Sequence, residues 1–202
     1  MKKTIVTIAA LFLASCASTT VNYKTEKIST LSMNKSVGKG NLSLSSNAQL
    51  IDNPFSEGSE LAKTVNKTLA SEFNESFANA SRKSKDFNKI SVSLYHENNE
   101  DVVLISEVKV DPNPNFFTGL CTILTLGIIP HYIEVDYNVN CELQKNGKSY
   151  YYQFTENTSS WQGLFVVGKG VIEAEKETKS EVYENISRNL LTNLRRDNII
   201  KH

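Results

Sequence analysis

The sequence predicts an α+β domain. It reads as a two-layer sandwich in which an antiparallel sheet of four to five strands is covered on one face by two helices and preceded by a flexible tether. Three observations carry this. Apolar and polar residues alternate through several segments, two other segments repeat an apolar residue every fourth position, and a polar run near the N-terminus lacks bulky side chains. The 202 residues, 40% hydrophobic and 22% charged, suit one domain with one core. Lys plus Arg equals Asp plus Glu at 22 each, so no basic field is available to hold nucleic acid by counterion release. Three His and three Cys, with no CxxC or HExxH spacing, argue against a metal site.

The elements follow in order β-α-β-β-β-β-α. A short alternation at Leu42 and Leu44 opens the domain. Leu61, Val65, Leu69, Phe73 and Phe77 then step by four along a helix that Ser56 or Ser59 can cap, and such a stripe packs on a sheet. Ile90, Val92 and Leu94 share one face of the next strand, and Val102, Leu104, Val108 and Val110 one face of its successor. Glu97-Asn98-Asn99-Glu100 is expected to turn between them. Ile133, Val135, Tyr137, Val139, Cys141 and Leu143 alternate strictly with Glu134, Asp136, Asn138, Asn140, Glu142 and Gln144, so one face is core and the other water. Lys145-Asn146-Gly147-Lys148 has the chemistry of a tight hairpin and leads to Tyr150, Tyr152 and Phe154. The last helix, about Glu173 to Arg195, carries Val182, Ile186, Leu190 and Leu194 and a favourable Glu184 to Arg188 pair.

The N-terminus has a different logic. Lys2 and Lys3 precede an apolar run, Thr4 to Ala14, which is shorter than the about 20 residues of a bilayer crossing and reads as a leader. It ends in Leu13-Ala14-Ser15-Cys16, and here the chain resembles bacterial lipoprotein precursors, whose lipobox is an aliphatic residue, two small residues and Cys. The resemblance implies removal of residues 1–15 and a covalent N-terminal lipid on Cys16; no motif in the sequence calls for another cofactor. It also implies a membrane partner through that anchor and, because Ala17 rather than Asp follows the Cys, the periplasmic face of the outer membrane. Loss of the leader removes two lysines and no acid and leaves the mature chain at a formal charge of −2. Residues 16–39, rich in Ser, Thr, Lys and Asn, read as a lipidated tether with a reach of about 26 Å. Residues 40–202 form the domain.

Two segments break the alternation, Phe116 to Pro130 and Trp161 to Gly168. In a meander both fall at one end of the sheet, so Phe116, Phe117, Leu124, Leu126, Ile128, Ile129, Trp161, Leu164 and Phe165 should gather in an apolar tip. Two readings stand side by side: a docking surface, or a lid folded back over the open core with Trp161 beneath it. The stretch Leu124 to Pro130 also resembles a Leu-Thr-Leu-Gly-x-Ile-Pro segment of small bacterial lipoproteins of no assigned activity. Cys121 and Cys141 are either bonded, closing a loop of about 20 residues worth about 3 kcal/mol, or are two buried thiols.

No nucleophile elbow, phosphate loop or dinucleotide fingerprint is present, and His96 and His131 stand alone. The functional reading is therefore a non-enzymatic, membrane-anchored binding or assembly accessory, docking through its tip on an envelope membrane protein or a lipid surface. The alternative is a periplasmic carrier that parts its helices and sheet around a lipid or apolar ligand.

Overall fold

Among the described residues six strands and three helices follow one another as β1 Thr19–Asn22, β2 Asn41–Leu50, α1 Glu60–Ser84, β3 Lys89–Val92, β4 Val102–Pro114, α2 Phe116–Leu124, β5 His131–Lys145, β6 Lys148–Gln162 and α3 Lys169–Arg196. They belong to a computed structural model, which describes residues 19–31, 40–51, 58–92, 101–125, 129–162 and 169–200. Ser56, Leu94, His96 and the turn at 97–100 lie outside them.

The sheet order is β1-β6-β5-β4-β2-β3. Strands β4, β5 and β6 form an antiparallel meander, with Leu104 opposite Leu143 and Val139 opposite Phe154. Asn146 and Gly147 turn the β5–β6 hairpin at φ of 52° and 72°, the double positive φ of a type I′ turn. Strand β2 lies between β3 and β4 and runs parallel to both. Parallel neighbours need a crossover, and α1 supplies it between β2 and β3.

The sheet is thus mixed rather than antiparallel, and β3 and β4 flank β2 instead of forming the hairpin expected from sequence. Alternation reports that one face of a strand is solvated and says nothing about the direction of its neighbours. Among the described residues six strands replace the expected four to five, because β1 falls inside the span read as tether. A third helix, α2, stands where an unpatterned apolar connection was expected.

Leu42, Leu44 and Ala48 of β2, Val102, Leu104, Val108 and Val110 of β4, and Tyr137, Val139, Cys141 and Leu143 of β5 are buried and in register on one face. They form one cluster with Phe73 and Phe77 of α1 and Val182, Ile186, Leu190, Leu191 and Leu194 of α3. Tyr183 presents its ring edge-on to Phe73 at 5.7 Å and to Tyr137 at 5.9 Å, a geometry that adds specificity to the burial. Ser59 caps α1, its hydroxyl accepting from Ala62 N–H at 3.2 Å. Leu61, the first residue of the α1 stripe, is exposed instead of packed.

Residues 19–31 are held largely by polar bonds, with only Val21 and Leu31 packed against the core, which is why their composition misled. Strand β1 pairs with the edge of β6, Thr19 opposite Ser160 and Asn22 opposite Asn157. The chain then crosses α3: Ile28 N–H donates to Asn185 Oδ1 at 3.0 Å, and Arg188 Nη1 donates to the Ile28 and Ser29 carbonyls at 2.7 Å each. Glu156, fully buried on β6, accepts from Lys24 N–H at 2.8 Å and Asn185 Nδ2 at 2.9 Å, and also from the Thr25 hydroxyl. Residues 19–31 are a strap on the domain.

Candidate functional site

The register brings Thr19, Ser160, Ile133 and Pro114 to one level of the sheet. Beyond Pro114 the chain enters α2, and Asn115 caps it, its Oδ1 accepting from Thr118 N–H at 3.1 Å. No residue of α2 is buried. Phe116 is 75%, Phe117 77%, Ile123 73% and Leu124 74% exposed, with Leu120 and Ile129 also open to solvent. The helix projects from the end of the sheet and does not fold back as a lid over the core. Trp161 lies at its foot, partly exposed and 5.1 Å from the Tyr132 ring. Trp161, the first residue of the second apolar segment, therefore lies at the same end as α2. Leu126, Ile128, Leu164 and Phe165 lie outside the described residues, as does Cys16.

The polar groups of this tip bond to one another. Thr118 Oγ1 donates to the Asn115 carbonyl and accepts from Tyr132 N–H at 2.9 Å. Thr122 Oγ1 reaches the Thr118 carbonyl at 2.8 Å and the Ile129 carbonyl at 2.7 Å. Thr125 Oγ1 donates to the Cys121 carbonyl at 2.7 Å and accepts from Ile129 N–H at 3.0 Å. Three threonines thus close a hairpin between α2 and the start of β5 with their hydroxyls turned inward.

Both cysteines are free, Cys121 exposed on α2 and Cys141 buried in β5. Cys141 lies eight residues along β5 from Ile133, which at about 3.3 Å per residue is about 26 Å below the foot of α2. The bond weighed from sequence has no geometry to form. Burial pushes the Cys141 thiol up to about 12, against a weaker opposite pull from Ser106. Brief maleimide treatment of the native protein should label Cys121 and spare Cys141 until denaturant is added, read by peptide mapping. Equal labelling of the two would remove Cys141 from the core.

The polar face behaves as solvated structure. Glu134 accepts from the Tyr132 hydroxyl at 2.8 Å, and Asp136 accepts from Asn157 Nδ2 and from Lys24 Nζ at 3.0 Å each. No group of three or more His, Cys, Asp and Glu side chains gathers to hold a metal among the described residues.

Sequence reasoning missed a cleft of about 360 Å³ between α1 and α3, lined by Glu72, Glu75, Lys83, Lys176, Lys179 and Tyr183. Lys179 Nζ and Glu72 Oε2 pair there at 2.6 Å. Opposite charges on both walls suit water or a polar guest and not an acyl chain. The signal lay in the sequence as charged residues flanking the two apolar stripes, but it became visible only once the helices lay side by side.

No protein family model matches the chain, and no curated protein matches it either. Among solved structures, it is similar to one described as a homolog of a neuraminyllactose-binding hemagglutinin, from Helicobacter pylori. That pairing is 8% identical, covers 89% of this chain and 95% of the other, and has a TM-score of 0.46. Protein XCC0632 from Xanthomonas campestris, described under the family model DUF330, is 11% identical over 85% of this chain and 96% of its own, with a TM-score of 0.42. A PelC dodecamer from Paraburkholderia phytofirmans is 9% identical over 82% of this chain and 97% of its own, with a TM-score of 0.28. Each pairing is too distant to assign an activity.

Proposed function

We propose that this protein is a lipid-anchored, non-enzymatic binding or assembly accessory of the bacterial envelope, held by acyl chains on Cys16 and docking through the α2 tip. The observation that carries the docking reading is the exposure of Phe116, Phe117, Ile123 and Leu124 on one short helix. A monomer in water gains nothing from displaying such a patch. The anchor rests on Leu13-Ala14-Ser15-Cys16 and the location, the periplasmic face of the outer membrane, on Ala17. No helix among the described residues is long and apolar enough to cross a membrane.

Photocrosslinking in intact cells tests the docking. A probe replacing Ile129 is expected to form adducts with an envelope component, and one replacing Asn138, on the polar face of β5, is not. Indistinguishable adducts from both positions, or none from Ile129, would sink the reading. Labelled palmitate should enter the protein and be lost on Cys16→Ser.

A further inference from the structure

We infer that α2 enters the same membrane leaflet that holds the acyl chains of Cys16, so that one end of the sheet is seated in lipid. The inference rests on the proposed anchor and adds to it the occupant of the tip. Its first ground is register. Thr19 pairs with Ser160, Ser160 with Ile133, and Ile133 with Pro114, the last strand residue before α2. Cys16 precedes Thr19 by three residues, and three residues reach at most about 11 Å. The lipid attachment point and the apolar helix are therefore tied to the same end of the same sheet. A tether of 24 residues would have left the tip free to face any surface; the capture of β1 by β6 removes that freedom.

The second ground is the chemistry of the tip. In hydrocarbon every polar backbone and hydroxyl group needs an internal partner. Thr118, Thr122, Thr125 and the Asn115 cap meet that demand by bonding within the hairpin. A protein interface asks for the opposite, about one hydrogen bond per 100–200 Å² across the contact, and these three hydroxyls are already engaged within the hairpin. No charged residue occurs from Asn115 to Pro130.

Size and rim agree. Nine helical residues measure about 13 Å, well under the about 30 Å of a bilayer core, so the helix enters one leaflet without crossing. The Tyr132 and Trp161 rings, 5.1 Å apart at the helix foot, sit where amphipathic aromatics meet the headgroups.

Trp161 is the single tryptophan of the chain and reports on itself. The mature lipidated protein would be reconstituted into phosphatidylcholine vesicles, with and without lipid brominated near the headgroup end of the acyl chains, and floated. The wild type is expected to float and to lose about half of its Trp161 emission in the brominated vesicles, as befits an indole at the interface. Phe117→Ser combined with Leu124→Ser, both on exposed positions, should float equally and recover the emission. A wild type that floats with unquenched Trp161 overturns the inference and leaves the anchor standing, with a protein as the remaining occupant. Quenching unchanged in the double variant also overturns it. A wild type that carries no lipid and does not float removes the anchor and the inference together.

Discussion

Arg195→Ala is expected to lower the unfolding free energy by about 3–5 kcal/mol, the cost of leaving a buried carboxylate without its partner. Arg195 lies in the last turn of α3 and Asp86 just after α1, past Lys85, whose φ of 57° ends that helix. Nε reaches Oδ1 and Nη2 reaches Oδ2, each at 3.0 Å, with the Ser84 hydroxyl also on Oδ2. Both side chains are sealed from water, 4% and 0% exposed. The planar guanidinium makes this a fork that a lysine cannot reproduce. Urea unfolding measures the loss. The half-buried pair of Arg188 with Glu184 serves as control, since water still reaches it and screens its Coulomb gain to about 0–1 kcal/mol; Arg188 also holds the strap carbonyls, so Glu184→Ala is the cleaner variant. A loss at Arg195 no larger than at Glu184 would mean that water reaches the Asp86 pair. Asp86→Leu with Arg195→Met should cost less than Arg195→Ala alone, because it removes both charges together.

Glu156→Ala should release the strap, at a cost of about 2–4 kcal/mol for two or three charge-assisted hydrogen bonds. The carboxylate joins Lys24 and Thr25 of the strap to Asn185 of α3, so its loss frees residues 23–31 before it threatens the core. Limited trypsin treatment, read by mass spectrometry, is expected to cut after Lys24 or Lys27 sooner in the variant than in the wild type. Unchanged protection there would show that β1 pairing alone holds the segment.

Acid should act on the same segment. The Asn157 amide first, then Lys24, hold the Asp136 carboxyl below the usual carboxylate range, and the Tyr23 hydroxyl and then Lys27 do so for Glu181. A carboxylate with a depressed folded value contributes stability above its unfolded value, about 4, and loses it as pH falls through the folded one. The strap should therefore be intact near neutrality and loosen below about pH 4. Protection factors at residues 19–31, with the intrinsic pH dependence of exchange divided out, that are unaltered from pH 6 to about pH 3 would contradict this.

Release of the strap also bears on seating at the membrane. On the proposed anchor, strand β1 connects Cys16 to the end of the sheet from which α2 projects. With β1 peeled away, residues 17–31 become the flexible leash that their composition suggests, and the tip loses its fixed approach to the bilayer.

How much of this was legible in the chain can be judged residue by residue. The six alternating apolar residues from Ile133 to Leu143 placed β5 within two residues of its observed ends, because water on one face and core on the other stamp a period of two on any such strand. Phe73, Phe77, Ile186 and Leu190 marked the buried sides of α1 and α3 for the equivalent reason at helical period, and all four are buried. Asn146-Gly147 marked a hairpin because both residues tolerate the positive φ they adopt. Phe116, Phe117, Leu124, Ile129 and Trp161 were legible as apolar residues that interrupt the alternation; whether they project or cover was not, since both arrangements use the same residues.

The amino-acid sequence by itself determined what each segment does with water: which faces are buried, where the chain turns, and that an uncharged apolar stretch interrupts the sheet. Tertiary structure alone decided what pairs with what over long separations. It set β2 parallel between β3 and β4, drew β1 out of a polar run onto the edge of β6, and buried Glu156 and the Asp86–Arg195 pair. It also aimed α2 outward from the end where the chain enters the domain. The physical reason is that hydropathy is a local signal, repeated every two or four residues. A partner more than 100 positions away is chosen by hydrogen bonds and charge complementarity that exist only after the chain has closed on itself.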